Sequence, residues 1–180
     1  MSGALAALFP VVVLIAGIAV MNARPEHKAI ARIVPPVKAL NLGPYDAVGA
    51  KEHWAALAAE PGVGSQTALD SERIMLRIDL LFPLFYGGAF AASLWSSARG
   101  LGYANPVTLL VPVLLMMVAD WTENGIQLAQ LSRFDASGEV SEPWITAASV
   151  ATCMKLALVG GLLLLNGIVG VRFACGAPHP

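Results

Sequence analysis

The sequence predicts an all-α integral membrane protein, a four-helix bundle with a long loop between its first and second spans. Of its 180 residues, 57% are hydrophobic and only 13% are charged, which is more apolar than soluble domains usually are. Its mean hydropathy is also positive, at +0.68. Four apolar blocks approach the roughly 20 residues that a helix needs to cross the hydrocarbon core of a bilayer. The chain is therefore expected to lie in a membrane.

The four predicted spans cover residues 4–21, 78–97, 107–128 and 145–171. No Lys or Arg precedes the first span, so it lacks the charged region of a secretory signal and is expected to be a retained anchor. Pro10, Pro83 and Pro112 predict kinks, which membrane helices tolerate when neighbouring groups satisfy the freed carbonyls. The chain thus divides into a first transmembrane helix (1–22), a loop with a short helix (23–77) and a three-helix transmembrane core with a C-terminal tail (78–180).

The long loop shows weak local signals rather than those of a separate domain. Its stretch "VPPVKALNLGPYDAVG" is rich in Pro and Gly and is expected to be irregular. Residues 46–59 predict a short helix with Val48, Leu57 and Ala58 on its apolar side and Trp54 near the membrane interface. Asp70 is expected to cap a helix that runs into the second span. The loop is long enough to cover one face of the bundle, and whether it does so is left open.

Basic residues are distributed unequally between the two ends of the bundle. One end has only Arg99 and Arg172, whereas the loop between the first two spans and the short loop before span four carry Arg24, Lys28, Arg32, Lys38, Lys51, Arg73, Arg77 and Arg133. By the positive-inside rule the long loop is cytoplasmic and both chain ends lie outside. We expect the bacterial cytoplasmic (inner) membrane, with an organellar inner membrane as the alternative, since an internal address can replace an Arg-rich transit peptide.

The stretch "MMVADWTENGIQ", residues 116–127, places carboxylates in an otherwise apolar span. Asp120, Glu123 and Asn124 share one helical face. At 1.5 Å per residue, Asp120 and Lys155 lie roughly 12 Å and 15 Å from the cytoplasmic boundary. An isolated charge near the bilayer centre costs about 2.5 to 3.5 kcal/mol or more. Asp120 and Lys155 are therefore expected to pair.

Further polar residues fall at the same level of the predicted bundle. The predicted polar core consists of Asp79, Tyr86, Asp120, Glu123, Asn124, Thr152 and Lys155. Arg73 and Arg77 are candidates to bind lipid headgroups at the cytoplasmic mouth of span two, although basic residues there need no ligand to explain them. Trp95, Trp121 and Trp144 lie near span ends and are expected to act as interfacial anchors.

The sequence gives little support for a metal site or a catalytic nucleophile. All three histidines, His27, His53 and His179, lie outside the spans. A histidine-based zinc site or a Ser/His or Cys/His pair within the membrane is therefore excluded. Cys153 and Cys175 cannot form a metal cluster by themselves, and Cys153 is expected to be a small packing residue. No metal and no cofactor are expected, and a carboxylate-only magnesium site is a weak alternative.

Two longer motifs and one short motif resemble those of a family of small four-span bacterial membrane proteins of unassigned function. The stretches "DLLFPLFYG" and "ADWTENG" are similar to the Asp-Leu-x-Phe-Pro-x-x-Tyr and Asp-x-x-Glu-Asn motifs of that family, and "TCMK" is similar to its Thr-x-x-Lys. The resemblance covers roughly the C-terminal two thirds and implies a fold and a polar core, without an activity. The matched positions are Asp79, Phe82, Pro83, Tyr86, Asp120, Glu123, Asn124, Thr152 and Lys155.

Three function classes remain open at this point. We prefer a non-enzymatic accessory or scaffold subunit that stabilises a larger membrane complex, with the bilayer and other integral membrane subunits as partners. A net charge of -1 without basic runs gives no footprint for nucleic acid. One alternative is an intramembrane enzyme acting on a lipid or other amphipathic substrate, in which Asp120 and Glu123 divide acid and base roles; its catalytic residues are otherwise unknown.

The third class is a proton- or ion-conducting protein, for which buried Asp, Glu and Lys are typical. Against it, four spans without an internal repeat make a poor alternating-access transporter. The outer half of span four also offers only Asn166 as a polar residue.

Overall fold

The computed structural model describes residues 3–34 and 40–176, and the named secondary-structure elements within them are all helices. This confirms the predicted all-α class. Lys38 and His179 lie outside the described residues. The helices are α1 (Gly3–Ala23), α2 (Pro25–Ile33), α3 (Ala47–Ala58), α4 (Ala68–Asp79), α5 (Phe82–Gly100), α6 (Val111–Ser137) and α7 (Glu142–Gly176).

Three helical stretches are long and apolar enough to cross a membrane. They are Ala68–Gly100, which joins α4 to α5, Pro106–Ser137, which ends with α6, and Glu142–Phe173 in α7. Helices α1 and α2 qualify as a pair, Leu8–Ala23 with Pro25–Ile33, that is bent by 75°. By length and composition the described residues therefore contain three helices able to cross a membrane, or four if the bent pair forms one span. The predicted four-helix bundle is not confirmed.

The bend between α1 and α2 follows from the sequence at their junction. Arg24 has an extended backbone and Pro25 starts the next helix. Proline lacks an N–H and its ring clashes with the preceding turn, so it favours the start of a helix over its interior. Lys28 and Arg32 are exposed on α2, while Ala29 is buried. The region predicted as loop thus begins with an amphipathic helix that packs against α4.

The predicted short helix of the loop is present as α3, but its faces differ from the prediction. Asp46 caps it by accepting a hydrogen bond from the Gly49 backbone N–H at 2.8 Å. Leu57 is buried as expected, whereas Val48 is 64% exposed and Ala58 is also exposed. Trp54, expected near the interface, is completely buried. Tertiary packing decides both cases, because α3 lies against α4, α6 and α7.

Thr67, and not Asp70, caps helix α4. The Thr67 hydroxyl accepts from the Asp70 backbone N–H at 3.2 Å, and the Asp70 carboxylate accepts from the Thr67 backbone N–H at 3.1 Å. This reciprocal pair is a capping box, in which the acidic residue stands at the third helical position. The predicted cap was therefore wrong by three residues, although Asp70 takes part in the motif.

Of the three prolines that predict kinks, one lies inside a helix and two lie at the start of one. Pro10 lies inside α1. Pro83 and Pro112 instead stand in the first turns of α5 and α6, where a missing N–H costs no helical hydrogen bond. The second span is accordingly interrupted at Leu80 and Leu81, between α4 and α5.

Two apolar clusters divide the interior into layers. The first, on the side of α3, includes Trp54, Leu57, Leu131 and Ile145. The second includes Phe90, Leu94, Val113, Met116 and Leu162. On α6, the residues between Met116 and Leu131 include Asp120, Glu123, Asn124 and Gln127, all buried. A polar layer therefore lies between two apolar ones.

Candidate functional site: a buried polar layer

Helices α5, α6 and α7 bring six of the seven residues of the predicted polar core together in one layer. Each of the six is at least nine-tenths buried. We call this set the polar layer: Tyr86 from α5, Asp120, Glu123 and Asn124 from α6, and Thr152 and Lys155 from α7.

Lys155 joins two carboxylates of α6. Its Nζ lies 3.1 Å from Asp120 Oδ1 and 2.5 Å from Glu123 Oε2. The pairing of Lys155 with Asp120 was expected from their matched depths, whereas the shorter contact with Glu123 was not considered. The spacing of three residues between the two carboxylates contained that signal, since it places both on one helical face.

Asp120 accepts hydrogen bonds at both carboxylate oxygens. The Tyr86 hydroxyl donates to Oδ2 at 2.5 Å, and the Asn124 Nδ2 donates to Oδ1 at 3.2 Å. With Lys155 also on Oδ1, one carboxylate links α5, α6 and α7. Such saturation is what allows a charge to lie in a dry interior.

Asp79, the seventh residue, lies at the edge of the polar layer and is half-buried at the end of α4. It interacts electrostatically with Asp120 and Lys155 and with the side chain of Asn124. Next to it, the Trp121 Nε1 donates to the Leu80 carbonyl at 2.8 Å. Trp121 thus satisfies a carbonyl at the break between α4 and α5, a specific role beyond interfacial anchoring.

The long loop covers the polar layer through Tyr45, which sequence reasoning missed. Its hydroxyl accepts from Gln127 Nε2 at 2.9 Å, and its backbone N–H donates to Ser149 Oγ at 2.9 Å. Gln127 Nε2 also lies 3.3 Å from Glu123 Oε1. Burial raises the pKa of Tyr45 to about 12, so its hydroxyl stays protonated at ordinary pH. No local pattern indicates that Tyr45 contacts the polar layer; Gln127 was not predicted either, although its position one turn after Glu123 is a signal that could have identified it.

Thr152 completes the contact between the loop and the polar layer. Its hydroxyl donates to the Ala148 carbonyl at 3.1 Å within α7 and interacts with Tyr45 and Glu123. The loop, α6 and α7 therefore meet in one hydrogen-bonded group.

The two arginines proposed for lipid headgroups differ in their surroundings. The Arg73 guanidinium donates to Asp70 Oδ1 and to Asp135 Oδ2, both at 2.7 Å. It therefore ties α4 to the end of α6. Arg77 is exposed.

Further polar contacts lie beyond the second apolar cluster. Ser93 Oγ lies 2.5 Å from both the Ala6 carbonyl oxygen and Asn166 Oδ1. These contacts link α1, α5 and α7. Phe90, Met116 and Leu162 form one apolar cluster with Tyr86.

The described residues offer little for metal or thiol chemistry. Within them no group of three or more His, Cys, Asp or Glu side chains is arranged to hold a metal ion. Cys153 and Cys175 are free and exposed. Cys153, which is expected to be a small packing residue, does not pack inside the bundle, because its side of α7 faces outward.

The sequence matches no protein-family model, and no curated protein or solved structure is similar to it. The resemblance drawn from the motifs stays a prediction.

Proposed function

We propose that this protein is an accessory or scaffold subunit of a larger membrane complex, and that it does not act as an enzyme. The observation that supports this most is the closure of the polar layer on itself. Asp120, Glu123 and Lys155 pair with one another and are 2%, 0% and 9% exposed. None of the three lines either of the two described cavities.

A catalytic or conducting role requires access that this arrangement does not provide. A general acid or base must come within hydrogen-bonding reach of its substrate, and Tyr45 and Gln127 close the loop side of the polar layer. Toward the opposite side, Phe90 and Met116 are completely buried. The polar layer is therefore better suited to fixing α5, α6 and α7 in place.

In the proposed topology α1 is a fourth span. Its side chains Leu8, Val12 and Ile15, spaced three to four residues apart, are all more than half exposed, as expected for a helix that faces lipid. Its early residue Ala6 contacts Ser93 near the end of α5 that carries Arg99. The start of α1 thus lies on the side with few basic residues, which the positive-inside rule makes external. We assign the membrane to the bacterial cytoplasmic membrane on this charge distribution.

The long loop, on the proposed cytoplasmic side, offers a contact for a partner subunit. Leu42 and Val48 lie outside the three candidate spans and are 58% and 64% exposed. Exposed aliphatic side chains outside the spanning helices favour contact with another protein or with the bilayer surface. They give the proposal a residue-level test.

The experiment compares the native protein with Val48→Glu on native gels after mild detergent extraction, with mass spectrometry of the comigrating proteins. The expected result is a defined larger complex that Val48→Glu weakens. Glu60→Gln, an exposed change on the same loop, serves as the control and should leave the complex intact. Migration of the native protein alone, as a monomer or small homo-oligomer, would refute the subunit role.

A further inference from the structure

A cavity lies beside the polar layer, between the end of α1, helix α2 and helix α4. Its volume is about 430 Å³, within the roughly 300 to 1,000 Å³ typical of small-molecule sites. Most of its wall is apolar, including Ile18, Met21, Ile30, Met75 and Phe82. α1 packs mainly on α5 and α7, while α4 packs on α2, α3 and α6. The cavity occupies the wedge between these two groups.

The polar part of the wall contains Asn22, His27, His53, Glu72, Asp79 and Gln127. Two of these are carboxylates, and none of the described lining residues is a Lys or Arg. The His53 side chain is 5% exposed, and its Nε2 lies 3.2 Å from Glu72 Oε1. Its Nδ1 is buried within the wall and has no hydrogen-bond partner among the described residues, which costs free energy.

The hydrogen-bond partner of His53 Nε2 determines whether Nδ1 must donate or accept a hydrogen bond. With Nε2–H donating to the Glu72 carboxylate, Nδ1 is an acceptor and requires a donor. Asp79 also accepts when ionised, and within residues 3–34 and 40–176 no Lys, Arg or His forms an ion pair with it. The amide nitrogen of Gln127 is already engaged with Tyr45 and Glu123. Glu72 and Asp79 therefore give the wall negative charge, beside Asn22 and His27 as neutral polar groups.

We propose that this cavity binds an amphiphile with a primary or secondary ammonium head and a hydrocarbon tail. The head donates a hydrogen bond to the Asp79 carboxylate, and the tail packs among Ile18, Met21 and Met75. An amine group can belong to a membrane lipid or to a free amphiphilic amine, and both present the same chemistry. This site does not depend on the proposed subunit role, because it rests on the cavity alone.

The test measures binding of radiolabelled dodecylamine to the purified full-length protein by scintillation proximity. Unlabelled dodecylamine, dodecyltrimethylammonium and dodecanoate compete. We expect saturable binding that dodecylamine displaces at least tenfold better than dodecyltrimethylammonium, which has the charge but no N–H donor, or dodecanoate, which has the opposite charge. Asp79→Asn should weaken dodecylamine binding at least tenfold, and the exposed control Glu60→Gln should not.

A second variant keeps the test decisive if Asp79→Asn does not fold, as judged by gel filtration. Ala31 lines the apolar wall, and Ala31→Phe should abolish binding by filling the space while leaving the polar wall unchanged. Equal competition by all three amphiphiles, or unchanged binding in Ala31→Phe, would overturn the proposal. Native mass spectrometry of the freshly extracted protein then identifies the source: a copurified amine lipid indicates the membrane, and an empty protein that still binds dodecylamine indicates a free amphiphile.

Discussion

Replacing Lys155 with Met should destabilise the fold more than any other single change in the polar layer. The change leaves Asp120 and Glu123, which are 2% and 0% exposed, without their cation. Removing one partner of a buried pair costs about 3 to 5 kcal/mol. Because Lys155 serves two carboxylates, we expect Lys155→Met near the upper end of that range.

The size of this effect should depend on charge and not on the volume of the side chain. The triple variant Asp120→Asn, Glu123→Gln, Lys155→Met has no charge in the layer and keeps similar shapes. Replacing a buried ion pair or triad by neutral groups is often close to neutral, so the triple variant should be more stable than Lys155→Met. The double variant without the change at Glu123 should lie between them, since it leaves one buried carboxylate.

The assay is unfolding in mixed micelles titrated with dodecyl sulfate and followed by helical circular dichroism. Lys51→Met is the matched control, because Lys51 also binds a carboxylate, Glu139, at 2.9 Å, with side chains 39% and 63% exposed. An exposed pair is worth about 0 to 1 kcal/mol. If Lys155→Met cost no more than Lys51→Met, or if the triple variant were the least stable, the charge-pairing account of the polar layer would be wrong.

Three further predictions concern the loop and the helix contacts. The difference in alkaline absorbance between the wild type and Tyr45→Phe should report a phenol with a pKa of about 12. Because this pKa is raised above the usual 10, the fold should lose stability as pH rises from about 10 through 12. Thr67→Ala should lower stability by about 1 kcal/mol through loss of the cap, seen as a lower thermal midpoint, and Thr67→Ser should preserve it. Gly87→Ala should be less stable than its neighbour Gly88→Ala in the same melts, since a Cβ at Gly87 would lie 2.5 Å from Met117 Sδ while one at Gly88 meets nothing within 4 Å.

Much of the transmembrane core could be predicted because hydropathy and helical spacing are local properties. Span lengths and the matched depths of Asp120 and Lys155 follow from a constant rise per residue. The shared face of Asp120, Glu123 and Asn124 follows from the period of the helix. None of these inferences needs to know how the loop folds.

The contributions of the loop could not be predicted from the same patterns. Tyr45 reaches Ser149 across 104 residues of sequence, and nothing near Tyr45 indicates that contact. Trp54 was misplaced for the same reason, since its burial depends on Phe134 of α6, whose ring centroid lies 6.0 Å away. The bend after α1 was missed although Pro25 is its local cause, because the region was treated as loop from its first residue.

The polar layer also explains why the cavity lies where it does. Its hydrogen bonds and ion pairs connect α5, α6, α7 and the loop at Tyr45, and among the described residues those of Asp120, Glu123 and Lys155 do not reach α1. Helix α1 is held instead by apolar packing, including the Phe82 ring against the backbone at Gly17, and by the Ala6 contact with Ser93 at its far end. Apolar packing is less directional than paired charge, so the end of α1 near Met21 is held by less directional contacts than the polar layer. A molecule in the wedge would therefore contact both the charge-paired core and a helix held by apolar packing.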